Sequence, residues 1–179
     1  DNADVDARWC LIHATHMTKG ETTRMAKTGA VAGLCPVTEA NLGDGIFNGA
    51  TYLNAGGAFG IGTDSNVNIA LNEELRLLEN SQRLKRRERN VLSQSDGSTA
   101  QTLYSGAAFR FAQAIGRNAG VISIGNLSDL VSIDSTDLSL CGLLGSQIFD
   151  VYIFSSNDTI VTDVLSAVLH IVQFFRHWH

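Results

Sequence analysis

The chain is short of basic charge, of cysteine pairs and of clean apolar tracts, and each shortage argues against a class of function. Its 179 residues carry 13 Lys and Arg against 18 Asp and Glu, a net charge of -5. That balance argues against a general nucleic-acid binder, whose phosphate contacts need a basic surface. The three cysteines, Cys10, Cys35 and Cys141, stand far apart in apolar runs such as WCLIH and GLCPV, without the pairing that marks a structural metal site. They are expected to be reduced, buried thiols. The longest apolar tract, 160–175, is interrupted by Asp163, His170 and Gln173, and falls short of the about 18 to 20 clean residues of a membrane span. No basic-then-apolar signal segment opens the chain. The expected address is therefore cytoplasmic, without membrane or nucleic-acid partners. The opening DNADVDARWC has no initiator methionine and lies only a few residues before the first strand-like run, as expected of a piece of a longer protein.

What is present is the composition of a folded protein, 44% hydrophobic and 17% charged, long enough for one sizeable core or two small ones. The apolar run WCLIHA (9–14) precedes a loop and a helix whose Thr18 and Glu21 have capping-box spacing and which Gly29 stops. The pattern repeats in AVAGLCPV (30–37), a polar loop TEANLGDG, a helical piece over 46–55 and a Gly56-Gly57 stop. It starts again at AFGIGTDS, with a long helix from about Ala70 to Leu92. Strands apolar on both faces, each followed by a helix, argue for a parallel sheet and an α/β class. Rossmann-like sheets and (β/α)8 barrels both fit, although a complete barrel takes about 250 residues. A further helix is expected over 99–115. Beyond a boundary near Gly120 the runs VISIG, DLVSID and FDVYIF read as short strands of a small β region. The tail from Asp158 is ambiguous between strand and helix.

In parallel α/β folds, sites gather where the carboxyl ends of the strands meet their loops. Each of the three strands here carries polar groups at that end: His13 and His16, then Glu39 and Asn41, then Asp64 and Ser65. His13 and His16 cannot both point inward unless the chain turns between them. An imidazole so placed serves as base, proton shuttle or metal ligand, or is a hydrogen-bonded core histidine. Asp64 reads equally as a helix cap, a role open also to Ser65, Asn66 or Asn68, and as a carboxylate ligand able to take a proton from metal-bound water. Glu39 and Asp44 could pair with a cationic amidine or amine; loop solubility for Glu39 and a turn role for Asp44 are the simpler readings. The basic run RLKRRERN shares its helix with Glu73, Glu74, Glu79 and Glu88, which reads as a solvated face. His170, His177 and His179 match no standard metal spacing.

The blocks RWCLIHATHMT, GAVAGLCPVTEANLGDGIFN and GIGTDSNVNIALNEELRLLENSQRLKRRERNVL, and more loosely GRNAGVISIGNLSDLVSIDS, resemble the amidohydrolase superfamily and, within it, the formimidoylglutamate deiminases of histidine degradation. The resemblance runs from Val5 to about Asp163. It implies barrel strands six to eight over residues 1–119 and the carboxyl-terminal share of a composite β-sandwich over 120–179. It also implies a small-molecule substrate, a divalent metal, usually zinc, and a homodimer for the full-length protein. By position, Asp64 resembles the strand-eight aspartate that binds the metal and helps deprotonate its water. His13 resembles the strand-six histidine beside that water or the substrate, with His16 supporting it, and Glu39 is implied as a substrate contact. The His-x-His, the further histidine and its nearby glutamate, and the substrate-gripping arginines of the family have no counterpart here. The tail also departs, lacking the glycine turn near DV that relatives show. The implied reaction is hydrolysis of N-formimino-L-glutamate to N-formyl-L-glutamate and ammonia, with this chain alone inactive. A ring deaminase or chlorohydrolase of the same superfamily is the rival, against which TEANLGDG weighs because ring deaminases carry an NPxSN-like loop. A noncatalytic fragment whose exposed strand edges favour association is the other.

Overall fold

The computed structural model describes residues 3–94, 97–156, 158–173 and 176–177. Thr18 opens the first helix, α1 (Lys19–Thr28), as its sequence requires. The threonine hydroxyl accepts from the Glu21 N–H, and the Glu21 carboxylate accepts from the Thr18 N–H at 2.8 Å, so two otherwise orphaned donors are satisfied together. Gly29 ends the helix in the left-handed conformation (φ 78°). The helix follows β1 (Cys10–Ile12) and returns the chain to β2 (Val31–Leu34). After α2 (Pro36–Leu42) and α3 (Gly49–Asn54) comes β3 (Ala58–Ile61). The three strands form a parallel sheet in the order β1-β2-β3, with Cys10 opposite Val31 and Val31 opposite Ala58. Central β2 is buried at every residue, which accounts for its apolar run without alternation.

Tyr52 of α3 is fully buried. Its hydroxyl lies 2.7 Å from the Ala30 carbonyl and 3.0 Å from that of Ala58, so one O–H ties the amino ends of β2 and β3 together. Leu34, Phe59, Leu75, Leu78, Leu103 and Ile153 fill the same core. They join the sheet to α4 (Leu71–Arg86), α5 (Thr99–Ala114) and α6 (Gln147–Phe154).

Several expectations are corrected. TEANLGDG is not a loop: Pro36 takes the first helical position and Gly43 caps the end (φ 72°), so the segment through Leu42 is α2. FDVYIF is not a strand but lies within α6, because Phe149, Tyr152 and Ile153 have helical spacing and meet the core together. VISIG is not a strand either; it forms turns that leave Ile122 and Ile124 exposed. The fourth helix stops at Arg86 rather than running to Leu92, since Arg87 turns left-handed (φ 59°). Its acidic residues are not all on a solvated face, for Glu74 and Glu79 are fully buried and Glu88 lies beyond the helix. The Glu79 carboxylate accepts from the Val91 and Leu92 N–H groups at 2.9 and 3.0 Å and from Arg83 Nε at 2.6 Å, which folds the chain back after the helix.

After a short 3-10 turn at Asp158–Ile160, the described residues of the ambiguous tail are mainly strand. β4 (Leu130–Ile133), β5 (Val161–Ser166), β6 (Leu169–Gln173) and β7 (Arg176–His177) form an antiparallel sheet in that order. His170 pairs across it with Asp163 at 3.0 Å; the side chains of His177 and His179 lie outside the described residues. The missing glycine is replaced by Ala167 and Val168, both left-handed (φ 48° and 65°), and the Asp129 carboxylate accepts from the Ala167 N–H at 2.8 Å. Among the described residues no helix is long and apolar enough to cross a membrane.

Two stability predictions follow from these loops. Glu79→Ala leaves two loop amides and Arg83 without their acceptor and is expected to lower unfolding free energy by about 3 kcal/mol; a urea-melt loss below about 1 kcal/mol would mean that water replaces the carboxylate. Val168→Gly removes the steric cost of a β-branched left-handed residue, about 1–2 kcal/mol, from an exposed turn. Its urea midpoint should rise, and an unchanged or lower midpoint would contradict the strain.

Candidate active site

The carboxyl ends of the three parallel strands converge on one imidazole. β1 ends at Ile12, and the His13 N–H donates to the Gly33 carbonyl at 2.7 Å, extending the strand pairing by one residue. The chain then turns through two left-handed residues, His13 (φ 64°) and Ala14 (φ 51°). This is the turn that two histidines three apart demanded: the His13 ring lies between its neighbouring strand ends, while His16 is exposed. Both line one open cleft with Thr15, Glu21 and Asp44.

From the end of β2, Cys35 leads into α2, and Glu39 lies one turn along. Glu39 Oε1 accepts from the Cys35 N–H at 2.8 Å and lies 3.2 Å from His13 Nδ1. At the end of β3, Asp64 Oδ2 lies 3.5 Å from His13 Nε2. That is an ion-pair distance, longer than an ordinary hydrogen bond. The Thr38 hydroxyl donates to the Thr63 carbonyl at 3.0 Å and so holds the Asp64 loop against α2. The two carboxylates differ sharply, with side-chain exposures of 6% for Glu39 and 39% for Asp64. Asp64 is partly open to solvent; the Glu39 side chain, implied as a substrate contact, is nearly buried beside the ring.

Asp64 does not cap a helix. Ala70 occupies the N-cap of α4, and no side chain caps it. Asp64 itself sits in the left-handed region (φ 51°), which aims its carboxylate back at β1. Ser65, Asn66 and Asn68 do not cap α4 either; Asn68 instead bonds the Glu73 carboxylate.

Sequence spacing did not reveal Cys35. A nitrogen of His13, the Cys35 sulfur and a carboxylate oxygen of Asp64 lie within 4.8 Å of one another. Nitrogen, sulfur and oxygen together suit a borderline divalent cation, and three protein ligands are the usual complement of a catalytic zinc. Burial, with the Glu39, Asp64 and Glu74 carboxylates adding to it, pushes the Cys35 thiol up to about 11. Below the site, buried Glu74 accepts from the Val37 N–H at 2.9 Å. Its other oxygen has no partner among the described residues, and burial raises its pKa. The cysteines are all free, but only Cys35 is fully buried; Cys141 is exposed, against expectation.

Residues 2–167 match the family model described as Amidohydrolase family, and the chain belongs to that family. Among curated relatives it is 44% identical, over 99% of its own length and 39% of the relative's, to the formimidoylglutamate deiminase of Pseudomonas aeruginosa. Among solved structures, an amidohydrolase from Brucella melitensis superposes with a TM-score of 0.91 at 49% identity, covering 98% of this chain and 38% of that one. An adenosine deaminase from Xanthomonas campestris with bound zinc superposes at 0.85 with 23% identity, covering 97% of this chain and 39% of that one, and shares the fold. The chain thus spans about two fifths of the length of these relatives.

The thiols supply a direct check on the site's electrostatics. With a chelator present at about pH 8, near the free thiol range, a disulfide reagent should modify exposed Cys141 first, Cys10 more slowly and Cys35 last. Early reaction of Cys35 would show that its sulfur is neither buried nor held protonated.

Proposed function

We propose that the protein carrying this chain hydrolyses N-formimino-L-glutamate to N-formyl-L-glutamate and ammonia. In this reading β1, β2 and β3 are strands six, seven and eight of a (β/α)8 barrel within residues 1–119, and residues 120–179 belong to a composite β-sandwich. The observation that carries it is the approach of His13 Nε2 and Asp64 Oδ2 to 3.5 Å, from the ends of the first and third strands. The 44% identity to a formimidoylglutamate deiminase supports the choice of substrate.

A divalent cation, zinc in the adenosine deaminase neighbour, would be held by Asp64 with His13 and Cys35 in reach, and when bound it supplies Lewis-acid activation of water at neutral pH. The chain's own residues do the rest. Asp64, partly exposed beside His13, takes a proton from the attacking water. The water oxygen bonds to the formimino carbon, and the proton passes through His13 Nε2 to the terminal nitrogen. The new hydroxyl then yields its proton to that nitrogen by the same side chains as the carbonyl forms, the terminal carbon–nitrogen bond breaks, and ammonia leaves with both protons of the water. Near-neutral imidazole is suited to that transfer. The groups that grip the two substrate carboxylates are expected outside this chain, and the chain alone is expected to be inactive.

The test is a substrate panel on the full-length protein, reading ammonia from N-formimino-L-glutamate, adenosine and an amino-triazine. Release should be confined to the first, and His13→Gln should lower kcat by about 100-fold or more, the usual worth of general acid–base help. Asp64→Asn should abolish turnover and bound metal together. Preference for a ring substrate would overturn the assignment, and zinc-dependent ammonia release by the 179 residues alone would overturn the expected inactivity of this chain by itself.

A further inference from the structure

Glu39 lies where a substrate contact is least effective and where control of His13 is greatest. Only 4% of the residue is exposed, so little of it faces the cleft. Its Oε1 is fixed from one side by the Cys35 N–H at 2.8 Å, at the junction where β2 becomes α2. From the other side the same oxygen meets His13 Nδ1 at 3.2 Å. That amide directly follows a strand buried at every residue, so the oxygen it holds is a well-anchored point against which the ring is set. We propose that Glu39 is a positioning residue: its buried carboxylate fixes the orientation and tautomer of His13, directing the Nε2 lone pair to Asp64 and the cleft. This rests on the proton-transfer role given to His13 above.

The chemistry follows from what each group can do. An ionised carboxylate only accepts, so in the neutral ring the proton facing Glu39 resides on Nδ1. Nε2 is then left with its lone pair, 3.5 Å from Asp64 Oδ2, itself an acceptor. Two acceptors face each other across that gap, and what stabilises them is a proton or a cation between them. With the opposite tautomer, Nε2–H would donate to Asp64, and Nδ1 would turn a lone pair on a buried carboxylate. In an environment of low effective dielectric such a pairing is costly. A carboxylate that merely capped α2 would need the Cys35 contact alone; the second contact, by the same oxygen, is what the helix does not require.

The tautomer is directly observable in the full 179-residue chain. Histidine ring nitrogens, labelled with nitrogen-15, would be read by long-range proton correlation at about pH 9, well above the ordinary imidazole pKa. The His13 signals are identified by their loss in His13→Gln. Nδ1–H is expected in the wild type and in Glu39→Gln, whose amide oxygen still accepts, and a shift toward Nε2–H in Glu39→Ala. Nε2–H in the wild-type chain, which needs no variant to fold, would overturn the proposal. In the full-length protein, Glu39→Ala should lower kcat by about 10- to 100-fold, the range for outer-sphere partners, with KM within about twofold, and Glu39→Gln should recover most of the loss. A raised KM at unchanged kcat would make Glu39 a substrate contact instead. Should the wild type fail to turn over N-formimino-L-glutamate, the deiminase reading falls while the tautomer still decides the role of Glu39.

Discussion

A carboxylate removed from water must have its lone pairs occupied or take up a proton. Three glutamates meet that demand here in ways that shape everything near the strand ends. Glu39 accepts from the Cys35 N–H, Glu74 from the Val37 N–H, and Glu79 from the Val91 and Leu92 N–H groups. In each case the donor is backbone, in a loop or at a helix start with no intrahelical partner to offer. The acids therefore organise connections rather than faces: two secure the entry into α2, and one the exit from α4. The site is assembled on backbone that these carboxylates hold, and hydrophobic packing beneath it supplies the rigidity.

That arrangement explains why the functional groups can sit in strained conformations. His13, Ala14 and Asp64 are all left-handed without being glycine, at a cost of about 1–2 kcal/mol each. The pairing of His13 N–H with Gly33, the hold of Thr38 on the Thr63 carbonyl and the Glu39 contact fix the surroundings from independent directions. Strain persists only where it is over-determined in this way. Here its effect is directional: relaxing either turn would swing an imidazole or a carboxylate away from the other.

The parallel sheet was legible because β2 is apolar at every position and because caps such as Thr18, Glu21 and Gly29 act locally. Asp64 and His13 were legible as strand-end residues. What could not be read there is tertiary. Glu74 and Glu79 sit in a charged helix and look solvated; only the segments they meet, residue 37 in the first turn of α2 and the loop at 91–92, make them interior. Cys35 looks like one more apolar position until β3 brings Asp64 beside it. TEANLGDG carries the signals of a loop, yet Pro36 at its start and Gly43 at its end delimit a helix, and it is this helix that delivers Glu39 behind the ring. The tail's missing glycine hid a turn whose cost an aspartate from β4's approach, Asp129, helps to offset.

The two carboxylates on His13 are chemically alike and differ only in surroundings, and that difference divides their work. Glu39 is enclosed, tied to a backbone amide and unable to follow a substrate. Asp64 is partly exposed, on the loop beyond β3. A ring held between a buried acceptor at Nδ1 and a more exposed one at Nε2 has only Nε2 left to exchange a proton with its surroundings. Exchanging the environments, with the accessible acid at Nδ1, would leave the same three side chains in contact and turn the other ring nitrogen toward the interior. Burial, more than residue type, is what distinguishes the two carboxylates that flank the ring.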